Sequence, residues 1–270
     1  VDEVVQEAAQ LIADGHVICW FQGGSEFGPR ALGHRSILGS PLRKGVKDYI
    51  NSSVKYRELF RPLAPSVLGE KAIDYFEMQN AADECSYMLR AVPIRPEHLT
   101  LLHEVSHVDG TARVQTVYRE DNTIYYDLIQ AVGGKSGLPI VLNTSFNTKG
   151  QPIVESPQEA VDTFLMMNLD ALVIGNYMVT LAAKGMTEDA VLMWNHDAKL
   201  THERAGGTDV FGIVNHRTRY KLDAAQYRNL LLIDGVQTLQ ALVQSVPAEE
   251  QGGFLGLIKT LLDKRLLTAI

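Results

Sequence analysis

Four short segments of the chain carry side chains able to grip an anion. The first, Gly23-Gly24-Ser25-Glu26-Phe27-Gly28-Pro29-Arg30-Ala31-Leu32-Gly33-His34-Arg35-Ser36, sets two arginines five residues apart among glycines. Glycines there let backbone N–H groups approach an anion closely, and guanidinium groups clamp phosphate oxygens through paired hydrogen bonds. The pattern fits neither the Walker loop nor the dinucleotide fingerprint, and the glycines taken alone favour a tight turn with solvated arginines. The second, residues 51–62, places Lys55, Arg57 and Arg61 within seven residues, interleaved with Tyr56 and Phe60. On a helix Arg57 and Arg61 would share a face, and the passage into the apolar run 62–68 draws these cations toward the interior. In the third, residues 107–117, Asp109-Gly110 reads as a turn, followed by a strand with Arg113 and Gln115 on one face. The fourth, Asn143-Thr144-Ser145-Phe146-Asn147, follows an apolar strand, where α/β proteins present hydrogen-bonding groups to ligands.

A fifth segment, His103-Glu104-Val105-Ser106-His107, matches the zinc-protease pattern. That chemistry requires both histidines on one helix, and here a turn and a strand follow at once, so a helix end running into a loop is the expectation. The next histidine, His196, is far along the chain.

The elements that must position these groups alternate. Residues 2–14 read as an amphipathic helix closed by Gly15, and residues 17–21 as a short apolar strand broken by Gly23-Gly24. A helix is expected over 122–132, a buried strand over 139–142, a capped helix from Ser156-Pro157-Gln158-Glu159 to about residue 168, and a strand over 171–182. Helix and strand in alternation make the first part an α/β domain. Residues 186–207 read as a polar linker containing Gly206-Gly207. Beyond it, 210–214 and 219–222 form a hairpin followed by helical patterns at 224–233, 238–246 and 254–267.

The bulk numbers narrow the class. At 270 residues the chain can bury a full core, and 46% hydrophobic with 21% charged residues is ordinary for a globular protein. No run approaches the ~18 unbroken apolar residues of a spanning helix. A net charge of −7 lacks the basic excess that nucleic-acid binding draws on, although local basic clusters are compatible with it. Two cysteines, Cys19 and Cys85, exclude a disulfide scaffold and make a reducing, cytoplasmic setting the default. The chain starts at Val1 without a leader and reads as a piece of something longer.

Taken together, the ordered motifs resemble the C-terminal domain of the O-carbamoyltransferases that modify antibiotics and nodulation factors. The match runs through residues 26–38, then Asn51, Lys55, Arg57-Glu58, residues 60–62 and 64–67, then 107–115, and ends in 142–147 with Gly150 and Pro152-Ile153-Val154. It covers about residues 1–180. The resemblance implies a YrdC-like α/β (α+β) fold over 1–185, a twisted open sheet with flanking helices, that takes carbamoyl phosphate and ATP and makes carbamoyl adenylate. An N-terminal transferase domain, absent from this chain, would hold an iron site and pass the carbamoyl group to an acceptor hydroxyl.

Carried over position by position, the carbamoyl phosphate pocket implied is Arg30, Lys55, Arg61, Arg113, Asn143 and Ser145. Arg30, Lys55 and Arg61 would do the catalytic work, the arginines as forks and Lys55 as a point charge. His107, Thr111, Arg35 and Asn147 are the nucleotide-side candidates; ATP would bring Mg2+, and no residue here is expected to hold a metal of its own. Gly24, Ser25 and His34 depart from the family's usual residues and bear on loop geometry. Residues 208–270 lie outside the match and resemble a small winged-helix module of the PqqD kind, which would bind a peptide or carrier or serve as a docking appendage. Two rival readings are an RNA-binding YrdC-like module and a fragment that binds ligands without turnover. The acidic balance weighs against nucleic acid.

Overall fold

A computed structural model of the chain describes residues 2–78, 85–167, 169–180, 188, 190–194, 198–205, 208–214, 219–263 and 266–269. The chain divides into two compact units, Val1–Leu181 and Ala182–Ile270.

In the first unit, α1 (Asp2–Ala13) leads into β1 (Ile18–Phe21) through Gly15 at φ 84, a left-handed turn that glycine makes without strain. β2 (Arg35–Gly39) follows the glycine-rich loop, and α2 (Val46–Tyr49) continues as a π-helix over Ile50–Val54. Then come β3 (Ala64–Leu68), α3 (Ala72–Tyr75), β4 (Val92–Pro93), β5 (Thr111–Ala112), β6 (Gln115–Val117), α4 (Thr123–Ser136), β7 (Ile140–Ser145), α5 (Pro157–Met167), β8 (Ala171–Ile174) and β9 (Tyr177–Val179). Seven strands make one mixed sheet in the order β6-β3-β7-β2-β1-β8-β9, with β6–β3 and β1–β8 parallel and the remaining pairs antiparallel.

The sheet is buried on both faces, and strand alternation sorts the side chains between them. Ile18 and Trp20 of β1 join Leu38, Leu68, Val141 and the stripe Tyr125, Leu128, Ile129 and Val132 of α4, beneath α1. Cys19 and Phe21 join Ile37, Val67, Leu142 and Phe164 of α5 on the opposite face. Asn122 caps α4 by accepting from the Tyr125 amide at 3.1 Å, and Ser156 and Glu159 form the capping box of α5 at 3.2 Å each way.

Several expectations are corrected. The run 111–117 is not one strand: β5 pairs with β4 in a separate ribbon, the chain crosses over at 113–114, and β6 joins the main sheet. Arg113 and Gln115 therefore go to different places. Arg57 and Arg61 share no helix face, because the helix ends at Val54 and Tyr56 turns left-handed at φ 47. The strand expected over 171–182 is a hairpin through residue 179, β8 and β9, turned at Gly175 with φ 56; residues 181 and 182 lie outside the described residues.

The second unit consists of β10 (Leu192–Trp194), β11 (Lys199–Ala205), β12 (Thr208–Val214), β13 (Arg219–Leu222), α6 (Ala224–Leu230), α7 (Leu239–Gln244), α8 (Gln251–Asp263) and β14 (Leu267–Ala269). β11, β12 and β13 form an antiparallel sheet, and β10 pairs with β14. The described residues of the span 186–207 are thus not a linker, and Gly206-Gly207 lie outside the described residues. Its β10 and β11 are built into this unit because Leu192 is a core residue, packed in one cluster with Leu230, Leu242, Ile258 and Leu261. Among the described residues no helix is long and apolar enough to cross a membrane.

Candidate functional site

The four segments meet at one end of the strands of the main sheet. A pocket of about 130 Å3 lies where β7 ends and β3 begins, walled by Arg30, Arg57, Arg113, His107, Asn143 and Ser145, together with apolar residues that include Pro29, Pro62 and Met88. The register explains the convergence. Asn143 of β7 stands opposite Ala64 of β3 and Leu38 of β2, so the β7 end is flanked by the segments entering both neighbours. Arg113 reaches the pocket from the crossover before β6, and Arg30 from the loop before β2.

Arg57 is the cation that sequence reasoning left out of the site. Its Nε donates to Asn51 Oδ1 at 2.7 Å, and the buried Asn51 holds the loop by donating to the carbonyls of Leu59 (3.3 Å) and Arg61 (2.9 Å). Burial, then the neighbouring Arg61, pushes the Arg57 guanidinium below its ordinary range, so an anion arriving in the pocket would relieve it. The signal was present in the segment 51–62, where Asn51 and Arg57 both occur, yet only the fold shows which cation turns inward.

Lys55 lies outside the pocket wall. Its ammonium is buried behind the end of β7, donating to the Ser145 carbonyl, to the Asn147 carbonyl at 2.8 Å and to Asn147 Oδ1 at 2.7 Å. The left-handed turn at Tyr56 sends Lys55 and Arg57 to different surroundings; for a bulky residue that conformation costs on the order of 1 kcal/mol and persists where packing over-determines it. Burial and then Arg57 lower the Lys55 pKa to about 7, against four acceptors, Ser145 Oγ at 3.3 Å among them, that favour the charged form. Arg61 is also absent from the wall: its Nε pairs with Glu58 at 3.1 Å and its side chain is 55% exposed, leaving it at the surface.

Of the nucleotide-side candidates, His107 lies in the pocket wall and also borders an open hollow of about 500 Å3 beside Leu99, His103 and Val108. His107 Nδ1 meets Thr111 Oγ1 at 2.9 Å, and that hydroxyl donates to Asp109 Oδ1 at 2.7 Å. Thr111 thus closes a turn and orients the imidazole. Asn147 spends its amide on Lys55, Ser145 Oγ and the Gln151 carbonyl. The zinc-protease pattern dissolves: His103–Val105 is a single 3-10 turn, and Glu104 caps α2 by accepting from the amides of Gly45 (2.8 Å) and Lys47 (3.0 Å).

Arg35 is absent from the pocket wall and is engaged within the fold. It is buried over the Phe21 ring at 3.5 Å and donates to the carbonyls of Gln22 (3.0 Å), His34 (3.1 Å), Gly23 (3.0 Å) and Glu155 (3.4 Å). Glu26 does similar work from within the loop, its Oε1 accepting from the amides of Leu32 (2.6 Å), His34 (2.8 Å) and Arg35 (3.3 Å). These amides therefore serve an internal carboxylate, and Arg30 is the cation that the loop places in the pocket wall. Replacing Arg35 by lysine, which keeps the charge and loses the planar fork, is expected to lower stability by about 2 kcal/mol in urea titration. An unchanged midpoint would return Arg35 to the candidates for ligand contact.

The family model described as "Carbamoyltransferase C-terminus" matches residues 9–181. Among similar proteins, the nodulation protein NolNO of Sinorhizobium fredii is 52% identical over 178 residues, covering 66% of this chain and 26% of that protein. The 3'-hydroxymethylcephem-O-carbamoyltransferase of Amycolatopsis lactamdurans is 34% identical over 170 residues, covering 63% of this chain and 32% of its own length. Among solved structures, HypF of T. kodakarensis aligns with a TM-score of 0.44 at 13% identity, over 82% of this chain and 29% of that one. The chain spans about a quarter to a third of the length of these curated relatives.

Proposed function

Because the chain belongs to the carbamoyltransferase C-terminus family, we propose that its first unit binds carbamoyl phosphate and activates the carbamoyl group with ATP for a transferase domain elsewhere in the protein. The observation that carries this reading is the convergence of Arg30, Arg57, Arg113 and His107 on a pocket of about 130 Å3 whose floor supplies Asn143 and Ser145. Each cation close to a phosphate gains roughly 4 kcal/mol at an effective dielectric near 20, before desolvation is subtracted. Arginine forks match phosphate oxygens, and the uncharged Asn143 and Ser145 are suited to orient a carbamoyl group.

In this reading water cleaves carbamoyl phosphate to carbamate and inorganic phosphate, with the arginines stabilising the charge on the departing phosphate. A carbamate oxygen then attacks the α-phosphorus of ATP, pyrophosphate leaves, and carbamoyl adenylate results. The pocket suits a small acyl phosphate, and ATP would lie in the open hollow on the His107 side. ATP would bring Mg2+ bound to its triphosphate. Iron and the acceptor site would belong to the transferase domain. A cytoplasmic setting suits Cys19 and Cys85, two cysteines buried in the core.

The test is phosphate release from carbamoyl phosphate by the full chain, with and without Mg·ATP. Release is expected in the wild type, with pyrophosphate formed only when ATP is present. Arg113→Ala and Arg30→Ala should each weaken carbamoyl phosphate binding about 100-fold, since each removes a charge-assisted contact to a desolvated anion. Calorimetry showing no carbamoyl phosphate binding to the wild type would refute the reading.

A further inference from the structure

Behind the pocket, Asn143, Gln115 and Ser66 form a closed polar cluster whose donor and acceptor sense can be worked out atom by atom. All three are buried, with Asn143 1% exposed, Gln115 4% and Ser66 0%. Two backbone carbonyls, which can only accept, fix the two amides. Gln115 Nε2 donates to the Leu32 carbonyl at 2.9 Å, which leaves Gln115 Oε1 facing Ser66 and Asn143. Asn143 Nδ2 donates to the Ala31 carbonyl at 3.0 Å, so the atom turned to this cluster is nitrogen.

The remaining protons follow. Ser66 has one hydroxyl proton, and it goes to Gln115 Oε1 at 2.6 Å. Asn143 Nδ2 also faces Gln115 Oε1 at 3.0 Å and Ser66 Oγ at 3.2 Å, so its two hydrogens are shared among three interior acceptors. Flipping either amide would set oxygen against a carbonyl oxygen. Asn143 Oδ1 is thereby left as a buried acceptor with no hydrogen-bond partner, on a residue in the pocket wall. An unpaired buried acceptor is costly to leave unmade and is satisfied by a donor on a ligand.

We propose that Gln115 and Ser66 are positioning residues that hold the Asn143 amide with its carbonyl oxygen free for the ligand, so that the pocket selects an acyl phosphate bearing an amino group over one bearing a methyl group. The proposal rests on the carbamoyl phosphate reading and deepens it. Carbamoyl and acetyl phosphate share size, shape and phosphate charge; the amino group supplies an N–H donor to Asn143 Oδ1, and the methyl group supplies none. The other buried orphan near Asn143 and Ser66 is the Tyr125 hydroxyl. Were it to claim Asn143 Oδ1, both acyl phosphates would bind alike.

The experiment measures dissociation constants of carbamoyl phosphate, acetyl phosphate and inorganic phosphate by rapid calorimetric titration of the full chain. Wild type is expected to favour carbamoyl over acetyl phosphate by at least about tenfold, because a polar site left unpaired by its ligand rejects it. Gln115→Met and the milder Ser66→Ala should bring that ratio toward one, whatever loss of phosphate affinity accompanies it; a merely structural role would weaken all three ligands together and leave the ratio standing. A wild-type ratio near one, or an unchanged ratio in a folded Ser66→Ala protein, would overturn the amide assignment alone. Failure of all three ligands to bind would overturn the pocket reading and the assignment with it.

Discussion

Replacing Gly33 by alanine is expected to lower the melting temperature and to weaken carbamoyl phosphate binding by tenfold or more, as read by thermal unfolding and calorimetry, because a Cβ at this position has nowhere to go. Gly33 sits at φ +107, a conformation side chains rarely adopt, and an added Cβ would lie 2.2 Å from Cδ1 of the buried Tyr125 ring. Tyr125 cannot yield easily, being held in the core that α4 forms with α1 and the sheet. The loop would have to move instead, breaking the bond from Trp20 Nε1 to the Gly33 carbonyl at 2.9 Å and shifting the segment that carries Arg30. Overpacking together with the strained backbone costs about 3 kcal/mol or more, a drop of about 6–12 °C for a unit of this size. An alanine variant that melts and binds like the wild type would show that the loop is not pinned by this contact.

Lys55→Met is expected to disorganise the end of β7 and to remove a pH dependence of stability. The substitution removes the donor shared by the Ser145 and Asn147 carbonyls and Asn147 Oδ1. The Ser145 hydroxyl still serves Asn147 Oδ1 and the Asn147 amide still serves the Ser145 carbonyl, so the cost falls chiefly on the Asn147 carbonyl, at about 1–3 kcal/mol for a buried group left unpaired. It also removes the cost of burying a charge, so the net loss at neutral pH should be on the order of 2 kcal/mol. The sign of the pH effect follows from the pKa near 7, below the ordinary lysine value of 10.5. Between those values the unfolded chain holds a proton that the native state sheds, so the contribution of this group to stability is flat below about pH 7 and rises with pH above it.

Cys19, buried on the same face and held above its ordinary range by burial, pulls the other way at higher pH, so the clean window ends near its usual value. Across about pH 7 to 8.5 the wild type should gain roughly 1–2 kcal/mol over Lys55→Met in urea titrations. Anion binding should weaken over the same interval, because a neutral amine offers fewer donors than the four acceptors at Ser145 and Asn147 require. A slope that persists in the Met variant would assign it to another group.

The elements were legible because local patterns set them. Gly15 ends α1, Asn122 starts α4, Ser156 with Glu159 starts α5, and in each case the capping or turn chemistry acts within four residues. The candidate site came from the family resemblance rather than from local patterns: of the residues it implied, Arg30, Arg113, Asn143, Ser145 and His107 line the pocket, and Lys55 and Arg61 do not. The misreadings fall where direction depends on distant partners. The run 111–117 alternates like one strand, but β5 has β4 to pair with and β6 has β3, so the chain breaks between them. The polar span 186–207 looks like a linker until β14, some seventy residues further on, pairs with β10.

The sequence by itself determined which segments carry cations, which carry short polar groups and where most helices and strands begin, since propensity, capping and hydrophobic period are properties of neighbours along the chain. Only the tertiary structure decided which cation faces the pocket. Lys55 and Arg57 are two residues apart and alike in charge, yet a left-handed Tyr56 sends one beneath β7 and the other into the pocket. The same holds for the Asn143 amide, whose donor end is chosen by the Ala31 carbonyl, 112 residues away in the chain. Hydrogen-bond sense and burial are set by groups that meet through space, and no spacing along the sequence encodes them.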